Sequence, residues 1–202
     1  MKSEKHLQKH HPLSIIRKRI VEYFYKSYTN SRGNPIFSVY DQVSPIVSVQ
    51  QNFDNLLIPK DHPSRAKSDC YYINKHYLLR AHTTAHQVEM IKSGLDNYIL
   101  VGEVYRRDEI DSTHYPVFHQ MDAVRIIHKE KLFAKHKDLE VFENDFLKEP
   151  LKPQIVTSNS KCIDQEKQPC HTLEAVKLTE HELKSTLVGL TKHLFGDKIE
   201  YR

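Results

Sequence analysis

The feature that most constrains this chain is the stretch from Gly102 to Arg125, GEVYRRDEIDSTHYPVFHQMDAVR. Two segments rich in Val, Tyr, Phe and Ile flank a polar loop that ends at Pro116, which is the pattern of a β-hairpin with a long loop. Arg106 and Asp108 are two apart in the first arm, and Phe118, Gln120 and Asp122 are two apart in the second. Each set therefore projects from one face of its strand. If the two faces coincide, one sheet face carries a cation, carboxylates, an amide and an aromatic ring. Burying unpaired charges costs several kcal/mol per ion, so a sheet face built only for a core would not carry this group. The alternative is a solvated face with surface ion pairs, since antiparallel sheets often wet one side.

A chain of 202 residues can build one domain with a proper core. Its 28% charged and 39% hydrophobic residues describe a globular chain and exclude a disordered one. The formal net charge of +4 comes from scattered Lys and Arg, which permits a polyanionic partner without requiring one. Three cysteines, Cys70, Cys162 and Cys170, are too few and odd in number for a disulfide framework. No apolar run approaches the roughly 18 to 20 residues of a membrane span, so no membrane partner is expected. The start, MKSEKHLQKHH, has neither the apolar core of a signal peptide nor the arginines of a transit peptide.

In chain order, residues 1–11 read as a disordered lead-in. Pro12 then opens a helix with Leu13, Ile16, Ile20 and Phe24 on its buried stripe, stopping near Asn30 to Gly33. Ile36 to Tyr40 reads as a strand, Ser44-Pro45 with the following IVSV as an interrupted extended piece, and Phe53 to Ile58 as a short apolar segment. The polar loop KDHPSRAKSD is of a type that carries function on a rigid scaffold. Tyr71 to Ile73 and Tyr77 to Arg80 read as strands, and HTTAHQVEMIKSG as a helix with a Thr near its N-cap and Gly94 at its end. Asn97 to Asp108 and Val117 to His128 are the hairpin arms, both long enough for central strands. From about 135 to 169 a charged, proline-bearing stretch reads as a poorly ordered insertion. Val176, Leu183, Leu187, Leu190 and Leu194 then mark a second amphipathic helix closed by Gly196. The final KIEYR reads as the opening of a strand.

A helix starting at Thr83 and Thr84 would offer free backbone N–H groups to a carboxylate or phosphate, or would simply be capped by those threonines. His82 and His86 are four apart, but Thr83 stands where a zinc protease motif needs Glu, and no third ligand is nominated. Cys162, Cys170 and His171 match no common zinc spacing. No residue is assigned to a metal. Beside this helix start, Arg106 offers a planar fork for phosphate or carboxylate, Gln120 and Asp122 accept from an ammonium, and Phe118 presents a flat face to a base. Together these describe an amino acid held next to a nucleotide.

Six ordered blocks, HHPLSIIRKRIVEYF, FSVYDQVSP, NFDNLLIPKDHPSR, YLLRAHTTAHQ, VYRRDEIDSTHYPVFHQ and HTLEAVKL, resemble class II aminoacyl-tRNA synthetases. Within that class they resemble the phenylalanyl-tRNA synthetases of the single-chain mitochondrial type. The resemblance implies an α+β fold, an antiparallel sheet flanked by helices, with residues 12–202 forming a partial catalytic domain incomplete at its C-terminus. The first helix and the strand before Pro45 resemble motif 1, and the hairpin resembles motif 2. Arg106 would then be the catalytic arginine on the ATP α-phosphate and the amino-acid carboxylate. Asp108 stands where many relatives have Glu, towards adenine. His82, Thr84 and Gln87, with Ala85 and His86 between them, fall at the amino-acid and adenylate site, Thr84 replacing a common Ser. Thr113, His114 and Tyr115 would close on ATP and Phe118 would stack on adenine. Gln120 and Asp122, with Met121 between them, would grip the substrate ammonium, Asp122 replacing the usual Glu.

The implied reaction is attack of the phenylalanine carboxylate on the α-phosphorus of ATP, releasing pyrophosphate, followed by transfer of the aminoacyl group to tRNA(Phe). ATP and Mg2+ are the implied cofactors, phenylalanine and tRNA(Phe) the partners, and the mitochondrial matrix the compartment. The oligomeric state would be monomeric as in the mitochondrial type, or otherwise a homodimer through motif 1. The family's remaining pocket strands, motif 3 and anticodon-binding domain would follow Arg202, so the resemblance implies a chain truncated before motif 3. A catalytically silent fragment that binds a ligand or partner is the alternative.

Overall fold

The computed structural model describes residues 5–107, 109–136 and 173–198. Asp108, the expected insertion from residue 137 onwards, Cys162, Cys170, His171 and the expected terminal strand from residue 199 lie outside the described residues. The chain divides into two compact units, one drawn from Met1–Ile126 with His193–Arg202 and the other from Ile127–Lys192.

In the first unit, helix α1 (Pro12–Ser27) begins where Pro12 fixes the first turn and the Nδ1 atom of His11 accepts from the Leu13 N–H at 3.2 Å. It buries Phe24 against Phe37, ring centroids 4.9 Å apart, and Arg17 forms an ion pair with Asp41. Ile16 is exposed, so the apolar stripe is narrower than its spacing suggests. The lead-in differs from expectation: Lys5–Leu7 forms a turn of 3-10 helix and His6 is buried.

Three strands form the main sheet. Strands β1 (Ser38–Tyr40), β4 (Asn97–Tyr105) and β5 (Val117–Arg125) lie in the order β1-β4-β5, with β1 and β4 parallel. The β4–β5 pair is the hairpin read from the sequence, and its register matches Leu100 with Asp122, Gly102 with Gln120 and Val104 with Phe118. Strand β4 is buried along nearly its whole length, as a central strand must be. Strand β5 is as long as β4 but has no second neighbour among the described residues and stays half-exposed.

A second, two-stranded sheet pairs β2 (Ile46–Ser48) with β3 (Tyr77–Leu79). The IVSV run ends early because Ser48 and Gln51 form a capping box that starts helix α2 (Val49–Asn52). Tyr71 to Ile73 makes only an isolated bridge at Tyr72, and Asp54–Leu56 and Pro63–Arg65 are 3-10 turns. The core under this sheet is Val47, Phe53, Cys70, Leu78, Ala81 and Ala85. Arg80 joins the two sheets: its N–H donates to the Pro45 carbonyl and its own carbonyl accepts from Tyr105, both at 2.9 Å.

The expected helix from His82 is split. Thr83–His86 forms a 3-10 turn, and helix α3 (Gln87–Lys92) follows, ending at Gly94 with φ +83. His82, not a threonine, is the N-cap and supplies no side-chain cap.

In the second unit, helix α4 (Lys129–Lys135) and helix α5 (Leu173–Phe195) meet at buried Glu182, which accepts from Lys135 at 2.6 Å and pairs with the His136 ring at 2.7 Å. Val176, Leu183 and Leu187 are exposed, Leu190 and Leu194 are half-buried and Leu178 is buried, so the stripe read along α5 is covered only in part among the described residues.

Candidate adenylate-type site on the β4–β5 face

Alternation along β5 puts Phe118, Gln120 and Asp122 on one face. The hairpin register aligns that face with Gly102 and Val104 and, one step beyond β4, with Arg106. The Arg106 N–H donates to the Pro116 carbonyl at 2.9 Å, which carries the pairing past the end of the strands. The two faces posited from the sequence therefore coincide. Arg106 is exposed, its Nε donates to the Ala81 carbonyl at 3.2 Å, and its guanidinium carbon sits 5.1 Å from the centroid of the Phe118 ring. Holding Nε in this way leaves the terminal nitrogens to face an anion.

The turn after β3 supplies the opposite wall. Thr84 donates its hydroxyl to Asp122 Oδ2 at 2.8 Å, and the Thr83 N–H donates to Gln120 Oε1 at 3.3 Å. That N–H is thereby engaged, and a four-residue 3-10 turn has little dipole of its own, so the anion-binding helix start expected here is not formed. Ala81 is held in turn by its N–H to Asn52 Oδ1 at 3.1 Å. Burial pushes the His82 imidazole below its ordinary pKa, while the Asn52 backbone and the Asp122 carboxylate pull the other way. His82 thus favours the neutral form.

Not every residue expected at the site reaches this face. Ala85 is buried in the core of the second sheet. The His86 Nε2 lies 3.2 Å from Arg80 Nη1, which makes His86 a support for Arg80. Met121 pairs with Val101 and alternation turns it to the opposite face. Gln87 is half-buried and its carbonyl accepts from the Tyr98 hydroxyl at 3.4 Å. Asp108 lies outside the described residues.

The hairpin loop is organised by Asp111, a residue given no role by the sequence pattern above. Its Oδ1 accepts from the Thr113 N–H at 2.6 Å and the His114 N–H at 2.7 Å, and Oδ2 meets His114 Nδ1 at 2.8 Å. These bonds hold its carboxyl well below the usual carboxylate range. The D-S-T-H order is the available signal, since Asp commonly bonds the backbone two residues ahead in a turn. Tyr115 is exposed beside it. The polar loop before β3 is anchored here as well, with Arg107 donating its N–H to the Asp69 carbonyl at 2.9 Å and Nη1 to the Lys67 carbonyl at 3.1 Å.

A guanidinium fork, an aromatic face and a paired amide and carboxylate thus converge on one face of the hairpin. Residues 2–160 match the family described as tRNA synthetases class II core domain (F), and the chain belongs to that family. Over 200 residues it is 68% identical to the probable mitochondrial phenylalanine–tRNA ligase of Drosophila melanogaster, covering 99% of this chain and 44% of that one. It is 50% identical over 197 residues to the mitochondrial phenylalanine–tRNA ligase of Rattus norvegicus, covering 98% of this chain and 39% of the relative. The chain therefore spans less than half the length of these relatives. A crystal structure of pyrrolysyl-tRNA synthetase from Desulfitobacterium hafniense aligns at TM-score 0.43 and 13% identity over 55% of this chain and 38% of that chain.

Proposed function

We propose that this chain supplies the ATP- and amino-acid-binding half of a mitochondrial phenylalanine–tRNA ligase. The observation that carries this reading is the convergence of Arg106, Phe118, Gln120 and Asp122 on one sheet face beside Thr84. The names of the relatives, all ligases of one amino acid, support phenylalanine as the substrate and the mitochondrion as the compartment.

In this reading the fork of Arg106 binds the ATP α-phosphate and the substrate carboxylate, bringing the attacking oxygen to phosphorus. Its charge stabilises the developing negative charge there, a contribution that needs no side-chain nucleophile. Phe118 stacks on adenine. Gln120 and Asp122 take the substrate ammonium, with Thr84 orienting the carboxylate of Asp122. The turn closed by Asp111 carries Thr113, His114 and Tyr115 over the nucleotide. The described residues Arg106, Phe118, Gln120 and Asp122 bring a single carboxylate to this face, too few oxygen ligands for an all-protein Mg2+ cage. Mg2+ would be carried on the ATP phosphates, where it would neutralise charge. Transfer of the aminoacyl group to tRNA(Phe) follows adenylate formation.

The test is phenylalanine-dependent ATP–pyrophosphate exchange by a chimaera in which residues 1–202 replace the matching stretch of the Drosophila relative. Exchange that requires phenylalanine supports the reading. A folded chimaera with no exchange, or with exchange driven by another amino acid, contradicts it.

A further inference from the structure

The opposite face of the hairpin holds a second constellation. Glu103 and His119 are cross-strand partners, turned by alternation away from Gln120 and Asp122. His6, from the 3-10 turn near the start of the chain, lies over them, its ring centroid 5.4 Å from that of His119. One ligand atom from each of His6, Glu103 and His119 lies within 4.8 Å of the other two.

Three buried atoms here, His6 Nδ1, Glu103 Oε2 and His119 Nε2, have no hydrogen-bond partner among the described residues. Such orphaned buried polar atoms are costly and call for a reason. The His6 ring explains why they remain so. Its Nε2 sits 3.0 Å from the Asp41 carbonyl, which can only accept, so Nε2 carries a proton and Nδ1 is the ring atom left to face the cluster. Nδ1 and Glu103 Oε2 stand 3.9 Å apart, too far for a direct hydrogen bond, and a cation between them would satisfy both. Donation of the remote ring N–H to a backbone carbonyl is also the arrangement that orients metal-binding histidines.

We propose that His6, Glu103 and His119 form a zinc site. Two imidazoles and one carboxylate are a common zinc donor set, with water completing the tetrahedron. Ligand atoms around tetrahedral zinc stand about 3.3 Å apart for bonds of about 2.05 Å, so closing from the present spacing takes side-chain shifts on the order of 1 Å. Arg80 Nη2 lies 3.8 Å from Glu103 Oε2 and competes for that carboxylate, which keeps the affinity moderate. The site faces away from Arg106 and serves as a brace, tying the beginning of the chain to the hairpin that carries the proposed adenylate face. It stands independently of the function proposed for that face.

The test uses the 202-residue chain, stripped with a chelator and titrated with Zn2+ alone against a chromophoric competitor at neutral pH. The expected result is one equivalent bound and an X-ray absorption spectrum with imidazole and oxygen ligands and no sulfur. Binding in His119→Gln and in Glu103→Gln is expected to be weaker by roughly tenfold or more, while His76→Gln, on an exposed loop, binds as the parent does. Bound zinc is also expected to raise the Tm of the parent by roughly 5 °C, which Mg2+ does not reproduce. If Glu103→Gln fails to fold, His119→Gln and the melting shift decide. No stoichiometric zinc, a sulfur ligand, or full affinity in His119→Gln overturns the proposal.

Discussion

At the scale of single residues, the contact between Thr84 and Asp122 bears on the proposed recognition of the substrate ammonium. Oδ2 of Asp122 is held by the Thr84 hydroxyl at 2.8 Å, leaving its other lone pairs for a cationic substrate group. Asp122→Asn is expected to weaken binding of a phenylalanyl adenylate analogue by roughly 10- to 100-fold, the worth of a charge-assisted hydrogen bond, and to leave the same analogue without its amine unaffected. Calorimetry with the two analogues checks this, and an equal loss for both would show that Asp122 does not read the ammonium. Asp111 acts through geometry. Its carboxyl is depressed by bonds present only in the closed turn, so the turn is fully held above the ordinary Asp pKa and loosens only as pH falls through the lower folded value. The Asp111 carboxyl resonance is expected to stay untitrated by NMR from pH 7 down to about pH 3, and Asp111→Ala to raise amide exchange at Thr113 and His114. A normal Asp titration would mean that the turn is not closed in solution.

At the scale of elements, the hairpin shows what was readable. Period-two alternation and a Pro-terminated polar loop are local signals, and they placed both arms and put Phe118, Gln120 and Asp122 on one face of the second; that Arg106 shares this face follows from the hairpin register. The strand order was not readable, because β1 pairs with β4 through residues far apart in sequence. The run after His82 reads as one helix by composition, yet it breaks after His86 as Thr83 and Thr84 turn towards Gln120 and Asp122. Arg80 carried no local signal either. Its guanidinium lies along β4, with Nε donating to the Glu103 carbonyl at 2.7 Å and Nη1 to the Val43 carbonyl at 3.2 Å. A side chain at position 102 would overlap it, which is why Gly stands there. Gly102→Ala is expected to cost about 2 to 4 kcal/mol in urea unfolding, since a buried, paired guanidinium must shift. Ser48→Ala, which removes one bond of the capping box on α2, is expected to cost only about 1 kcal/mol. The reverse order would mean that Arg80 is free to move.

At the scale of the whole molecule, buried imidazoles couple stability to pH. Burial lowers the pKa of His82, His86 and His119 in the folded chain, so the unfolded chain binds more protons between the folded and unfolded values. Stability from these groups is fully present above the unfolded His pKa of about 6.5 and is lost as pH falls through that value towards the lower folded ones. Urea unfolding is expected to give a higher midpoint at about pH 7.5 than at about pH 5.5, and a flat or inverted profile would show that these rings are not held neutral by the fold. The lead-in before Pro12 is the largest departure from the sequence pattern at this scale. A polar, lysine- and histidine-rich start has the composition of a frayed end, and the contacts of His6 with the Asp41 carbonyl and the His119 ring, both distant in sequence, give it a buried anchor.

The front face of the hairpin is proposed above all to bind an aminoacyl adenylate through Arg106. Calorimetric titration of the chain with a non-hydrolysable phenylalanyl sulfamoyl adenosine tests this most directly, with Arg106→Ala and Arg107→Ala compared against the parent. Saturable binding is expected, weakened about tenfold or more by Arg106→Ala and changed less than about twofold by Arg107→Ala, whose side chain is engaged with the Lys67 carbonyl. An Arg106→Ala chain that binds the analogue as tightly as the parent would contradict the role given to Arg106.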